Sequence, residues 1–460
     1  MSAATLSAKA GGSSAAAAGQ LYRWFWRIHF FSGFFLGPII IWLAVTGILL
    51  AFGADIDTAR LRDVQLVTPG AERVSLDQQW IRALASHHLD GMVMQSVELP
   101  AAPDRATIFT FGYPVEATEA AGGHGHGGTT VLTYVDPYTG RVTGTLERYD
   151  RFAAIVHDLH ARYMAGDAFR WVSEIATSWL LALALTGVYL WWPRRREKVA
   201  GVIVPRFKAG ARTQWRDWHS IPAAFFFGVI ALGAAGGLLM SHLSGTLALG
   251  VQFATRQGWP SPKGESIVVA GAPRIGLQAA EDVARANGLA EADLTIKPPT
   301  TPTGFYRVTN AGHAATTDKV DLAIDTYSGS VIQKITWADY PLMGKLTLLG
   351  MLFHAAALGP VVFWVVVLSC VVIVAGSLTS YVMWWKRRPA GGLAAPKAVA
   401  WRDVPLRWRI AAIVTCVLFP MLGLSLLAFM GLEWGVARVT TWLRTRRAAQ
   451  ARRLEPQTGD

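Results

Sequence analysis

Histidines mark the ends of the long apolar runs in this sequence. His29 and His219 stand near the start of two such runs, and His160 and His354 precede two others. His157 lies three residues before His160, and His242 sits toward the end of the run that His219 begins. A titratable side chain in or beside a membrane span is costly and by default functional. Metal ligation of a neutral imidazole removes much of that cost, because the ring nitrogen is then used. A boundary histidine is also an ordinary interfacial or hydrogen-bonding residue, and repetition separates the two cases. His29 and His219 are 190 residues apart, while His160 precedes Trp191 by 31 residues and His354 precedes Trp384 by 30. Two histidines are thus held at one distance from matching Trp-Trp-basic ends. His157 occupies a neighbouring helical face and competes with His160 for the same role; His242 has no counterpart.

Other candidate clusters are weaker. His124 and His126 lie in a Gly-rich tract that reads as a metal-capturing segment or as a loop between strands, and His87-His88 at a helix end reads the same way. Cys370 and Cys416 lie inside apolar runs, so there is no disulfide framework, no zinc pair and no covalent haem motif. No dinucleotide or phosphate-binding glycine motif follows a strand. Asp and Glu are scarce within the runs, which argues against a proton-coupled transporter.

The elements that position the histidines are membrane helices. Hydrophobic residues make up 52% of the 460 and charged residues only 16%, which places the chain among integral membrane proteins. The net charge of +12 falls mainly in short segments beside apolar runs, as topology signals do, so nucleic acid is not expected as a partner. About 20 apolar residues cross a bilayer. The sequence predicts spans over 24–52, 169–192, 219–249 and 361–385, and a fifth run, 410–433, that crosses or re-enters. Residues 1–20 read as a disordered tail, 193–217 and 386–409 as cytoplasmic segments, and 438–460 as a basic tail. Between the spans, 55–167 and 252–340 carry one amphipathic helix each and period-two strands, which predicts two small α+β modules. On the first of these helices Trp80, Ile81, Leu84 and Ala85 form the expected apolar side. Gly33 and Gly37 clear one face of the first span near His29, leaving room for a neighbouring helix or a flat macrocycle.

The turns Asp136-Pro137-Tyr138-Thr139-Gly140 and Asp325-Thr326-Tyr327-Ser328-Gly329 are 189 residues apart, close to the spacing of His29 and His219, so turns, histidines and spans repeat together. Two spans per unit make the repeats parallel. Positive loops inside put His29 and His219 at the inner boundary and His157, His160, His242 and His354 outside. Two pairs on opposite faces suit a two-haem electron path with each iron held by two imidazoles. One difficulty is length, since a continuous helix from His354 to Trp384 rises about 45 Å, more than the roughly 30 Å hydrocarbon core. A tilt at Gly359-Pro360 would shorten it. A straight third span would likewise put His242 roughly 35 Å from His219.

The segments DPYTGRV and DTYSGSV resemble the ends of PepSY domains. The runs RIHFFSGFFLGPIIIWLAVTGILLAF, LHARYMAGDAFRWVSEIATSWLLALALTGVYLWWPRR and MLFHAAALGPVVFWVVVLSCVVIVAGSLTSYVMWWKRR resemble the PepSY-associated transmembrane family. The resemblance covers residues 20–435. It implies a mainly α integral membrane protein of the bacterial inner membrane, with four to five helices in two parallel tandem repeats and two periplasmic PepSY-like modules. It further implies two b-type haems, with His29, His219, His160 and His354 as ligands by position; His157 and His242 remain alternatives on the residue reading alone. The activity it suggests is reduction of a ferric siderophore or other metal chelate, with electrons from a cytoplasmic reductase or quinol. Departures from the family pattern are Ala355-Ala356-Ala357 after His354, and Pro222. The competing expectation is a haem-free membrane anchor whose modules bind an envelope protein or peptidase.

Overall fold

The computed structural model describes residues 3–86, 91–113, 130–193, 201–290, 292–310, 316–389 and 392–454. His87, His88, His124, His126 and the run Arg194–Arg196 lie outside them. The first helix, α1 (Ala3–Ala51), is continuous; the Ala-rich segment read as a disordered tail joins it, as the strongest helix former favours. After α1 come α2 (Leu76–Ala85) and strands β1 (Val93–Leu99), β2 (Thr107–Gly112), β3 (Val131–Val135) and β4 (Val142–Glu147). Helices α3 (Phe152–Arg162) and α4 (Arg170–Trp191) return the chain to apolar sequence.

The third apolar run is not the straight 219–249 span that the sequence suggests. It is α5 (Ala211–Phe225) and α6 (Phe227–Leu239), bent by 64°, followed by a separate α7 (Leu243–Ala254). Pro222 lies one turn before the bend; it has no N–H to donate and its ring crowds the preceding turn. The roughly 35 Å rise expected between His219 and His242 therefore does not apply. The chain continues through α8 (Leu277–Ala284), β5 (Leu294–Lys297), β6 (Tyr306–Asn310), β7 (Val320–Ile324) and β8 (Val331–Thr336), then α9 (Leu342–His354) and α10 (Pro360–Arg387). It ends in α11 (Leu406–Leu418) and α12 (Pro420–Leu454), which meet at 113°. Pro420 breaks the fifth run, and the second helix turns back instead of continuing as one straight span. Three helices are long and apolar enough to cross a membrane, or up to five if each bent pair counts as one. Their outward residues, among them Phe35, Leu185, Val361 and Val371, are exposed and apolar, as contact with lipid requires.

The eight strands form one antiparallel sheet in the order β4-β3-β2-β1-β5-β6-β7-β8. The two segments expected to be separate modules thus share a sheet, because β1 pairs with β5 (Val97 opposite Ile296, Leu99 opposite Leu294). Pairing satisfies the two strand edges that separate modules would leave open. One core runs through both halves, with Leu76, Val97, Phe109, Phe111, Ala280, Leu294, Ile296, Leu322 and Ile324 buried together. The helices are cross-linked by their first turns: Asp77 accepts from Leu277 N at 2.7 Å, and Gln278 accepts from Leu76 N at 2.8 Å. On α2 the buried positions are Leu76, Gln79 and Ala83, and Ile81 and Leu84 are exposed. The face chosen from the sequence was therefore wrong in part; Trp80 packs on the core, and the stripe runs through 76, 79, 80 and 83 at helical spacing. The two Asp-initiated turns match in detail. Asp136 accepts from the N–H groups of Tyr138 and Thr139, and Asp325 from those of Tyr327 and Ser328, as Asx-turns do.

Candidate functional site

Four of the six histidines singled out above come together as two facing pairs. His29, on α1, and His219, on α5, have ring centroids 6.1 Å apart with planes at 82°. His160, on α3, and His354, the last residue of α9, have centroids 6.2 Å apart with planes at 51°. The other two do not join them. His157 is exposed on α3, and His242 precedes α7 with its ring edge-on to Trp171 at 5.0 Å.

Each paired ring is anchored through Nδ1. His29 meets Thr186 Oγ1 at 3.0 Å and His160 meets Thr46 Oγ1 at 2.8 Å. His219 meets the Gly376 carbonyl at 2.9 Å, and His354 the Gly233 carbonyl at 2.8 Å. A carbonyl only accepts, so His219 and His354 carry their proton on Nδ1. The threonines lead to the same result by one more step. Thr186 donates its hydroxyl proton to the Ala182 carbonyl at 2.7 Å, and Thr46 donates to the Trp42 carbonyl at 2.8 Å. Each hydroxyl has only lone pairs left for its histidine, which must donate. All four imidazoles therefore share one tautomer, with a free lone pair on Nε2. A hydrogen bond that fixes the far nitrogen is the usual support of a metal-bound histidine.

Local structure explains how the second pair reaches its place. α3 ends with Tyr163 and Met164 at positive φ (56° and 55°) and Gly166 at 90°; α9 ends with Ala356 at 56° and Gly359 at 88°. Left-handed residues stop a helix sharply. Each histidine therefore sits at a helix C-terminus and the next long helix starts afresh. This answers the length difficulty posed by the sequence, since α9 and α10 are not one rod. α9 lies along α6, where an added Cβ at Gly236 would run into the Gly350 carbonyl, and the close approach sets His354 beside α6. The Ala355-Ala356-Ala357 departure falls in this turn.

Glycines clear the space beside the rings. A Cβ built at Gly187 would lie 3.3 Å from His29 Cε1, at Gly47 3.7 Å from His160 Cε1, and at Gly237 2.8 Å from His354 Cε1. Gly33 and Gly37 serve helix contacts instead, with Leu183 against the first and Tyr381 against the second, and Tyr381 donates to the Phe34 carbonyl at 2.7 Å. Of the two uses left open for them, the structure assigns a neighbouring helix.

Two imidazole nitrogens on opposite sides of one metal, each bonded at roughly 2 Å, place their ring centroids roughly 6 Å apart. Both pairs match that separation. Among the described residues no group of three or more His, Cys, Asp or Glu side chains is placed to hold a metal ion. Each site therefore offers two donors and a glycine-cleared surround.

Sequence reading missed Thr46, Thr186 and the carbonyls of Gly233 and Gly376. A signal existed for two of them, because the 190-residue offset from His29 to His219 also carries Thr186 onto Gly376. Backbone acceptors leave no trace in residue type, so the offset alone would have found Gly376.

A family model described as PepSY-associated TM region matches residues 26–387. No curated protein matches the chain.

Proposed function

Since the chain belongs to the PepSY-associated TM region family, we propose that it is a haem-containing oxidoreductase of the bacterial inner membrane, passing electrons to a ferric chelate on the periplasmic side. The observation that carries this reading is the pair of matched sites: two sets of facing imidazoles with every Nδ1 tied and every Nε2 free. Two imidazoles are too few for a bare zinc ion, which takes three or four protein donors. A porphyrin brings its own nitrogens and asks the protein for axial ligands only. His29 with His219 would hold one b-type haem and His160 with His354 a second, and each haem would supply one-electron exchange.

The chain's own residues do the rest. Thr46, Thr186 and the carbonyls of Gly233 and Gly376 fix ring orientation and keep Nε2 basic. Apolar helices exclude water from both sites. The two halves of the chain are read as tandem copies of one unit, each supplying one histidine to each site. A haem held by the inner pair would be placed to exchange electrons with a cytoplasmic reductase or quinol, and one held by the outer pair would lie on the side of the joined sheet, whose halves are read as PepSY-like modules. Hard oxygen donors of a siderophore suit Fe(III) better than Fe(II), so reduction loosens the chelate.

The test is the visible spectrum of the full-length protein, purified from cells supplied with haem. Dithionite-sharpened Soret and α bands, with two haems per chain, are expected. A protein free of both bands would overturn the reading and leave the haem-free anchor.

A further inference from the structure

Two arginines stand at the basic ends of helices that carry or hold the His29–His219 pair, Arg212 on α5 and Arg387 on α10, and nothing above gives them a role. Arg387 is in the last turn of α10, the helix whose Gly376 carbonyl holds His219. Eleven residues separate Gly376 from Arg387, three helical turns, so both lie on one face. The Arg387 guanidinium rests over Trp26 at 5.1 Å and Phe30 at 5.4 Å, the residues that bracket His29 on α1. Arg212 lies in the first turn of α5, two turns before His219 and on the same face. α5 and α10 pack together, with the Arg212 charge felt at Arg387.

Neither arginine has an acidic partner among the ion pairs of the described residues. The Arg387 Nε–H is moreover buried without any acceptor. Arg387 is half-buried and Arg212 exposed; a half-buried cation with an unpartnered N–H favours a counter-charge, and a second cation beside it adds to the pull on an anion. Guanidinium forks match carboxylates. A b-type haem carries two carboxylates on one edge of an otherwise apolar ring.

We propose that Arg212 and Arg387 bind the propionates of the haem held between His29 and His219, setting that edge toward the basic end of the helices. The inference rests on the haem reading of the two pairs. It assigns anchoring residues and an orientation that the histidines alone leave free, because two axial ligands permit rotation of the macrocycle about the axis between them.

The experiment is a potentiometric titration of the full-length protein, followed at the α band, for wild type, Arg212→Gln, Arg387→Gln, Arg387→Lys and the double Gln variant. Wild type should titrate in two waves. Each Gln substitution should lower the midpoint of one wave and leave the other, since a lost positive charge disfavours the electron-rich ferrous form. The affected wave should be the one missing in His219→Ala. Arg387→Lys should move it less than Arg387→Gln, and the double variant should lose about half of the haem, one of two bis-imidazole sites. Full haem with both waves unmoved in every arginine variant would overturn the proposal while leaving the haem reading intact. A shift seen only in nanodiscs containing phosphatidylglycerol would also overturn it, assigning the arginines to a lipid phosphate. Wild-type protein without haem would overturn both readings. If Arg387→Gln does not fold, Arg212→Gln, at an exposed helix start, and Arg387→Lys carry the comparison.

Discussion

The two histidine pairs reach almost the same ring separation by different mechanical routes. His29 and His219 lie within helices, α1 and α5, and their neighbours on both sides are helical. His160 and His354 lie at the C-terminal ends of short helices, each stopped by left-handed residues. One site is held mid-helix, with α5 running on from His219 to its bend at Phe226, and the other by two cut ends. A hydrogen bond supports a ring equally well in both settings: each pair uses one threonine hydroxyl and one glycine carbonyl. The difference lies in what keeps the rings at their depth. For the first pair it is the span itself; for the second it is helix-on-helix contact, most tightly at Gly236 and Gly350.

Removal of a ring is the strongest way to break this comparison. His29→Ala and His219→Ala should each remove the same half of the haem, and His160→Ala and His354→Ala the other, about one haem of two in each case. Pyridine haemochrome quantification with reduced-minus-oxidised spectra reads this directly. Retention of full haem by any one variant removes that histidine from its pair.

Packing variants sharpen the contrast between mid-helix rings and cut ends. Gly236→Ala drives a methyl into the Gly350 backbone, and overpacking of this kind costs roughly 1–3 kcal/mol. A lower thermal midpoint and selective loss of the His160–His354 spectrum are the expected results. Gly237→Ala meets His354 at 2.8 Å, whereas Gly187→Ala meets His29 at 3.3 Å. The first should disturb its site more than the second, as judged by α-band shape. Equal effects would mean that both rings yield alike.

Supporting hydrogen bonds come next in size. Thr186→Val and Thr46→Val each remove an acceptor from one ring, and loss of such a partner weakens metal binding roughly 10- to 100-fold. Competition with apomyoglobin measures the release. The opposite members, His219 and His354, use backbone carbonyls and have no equivalent side-chain deletion. The smallest effect expected is at the sheet. Asp77→Ala removes the acceptor for the first N–H groups of α8, which costs roughly 1 kcal/mol by analogy with helix caps. Chemical denaturation should register it with both haem spectra unchanged.

Apolar runs, basic loop ends, the two Asp-led turns and the recurring histidines were all legible in the chain, because each depends on residue type and spacing. The register of α2 was misread where Ile81 and Leu84 were assigned to the core. An amphipathic stripe does not say which of two adjacent faces meets a sheet, and here Leu76, Gln79 and Ala83 do. Nor did composition give the bend at Phe226, or choose between crossing and re-entry for the run broken at Phe419 and Pro420, since hydropathy measures length and not direction.

By itself the sequence determined that the chain spans a membrane, that its soluble segments are α+β, and that four histidines recur in matched settings. Those outcomes follow from hydrophobic periodicity and turn chemistry, which act over a few residues. Only the tertiary structure decided that β1 joins β5 into one sheet, that His29 faces His219 and His160 faces His354, and that all four rings share one tautomer. Each of these is a contact between segments more than a hundred residues apart, fixed by strand edges, helix-contact glycines and backbone carbonyls, whose partners no local pattern names.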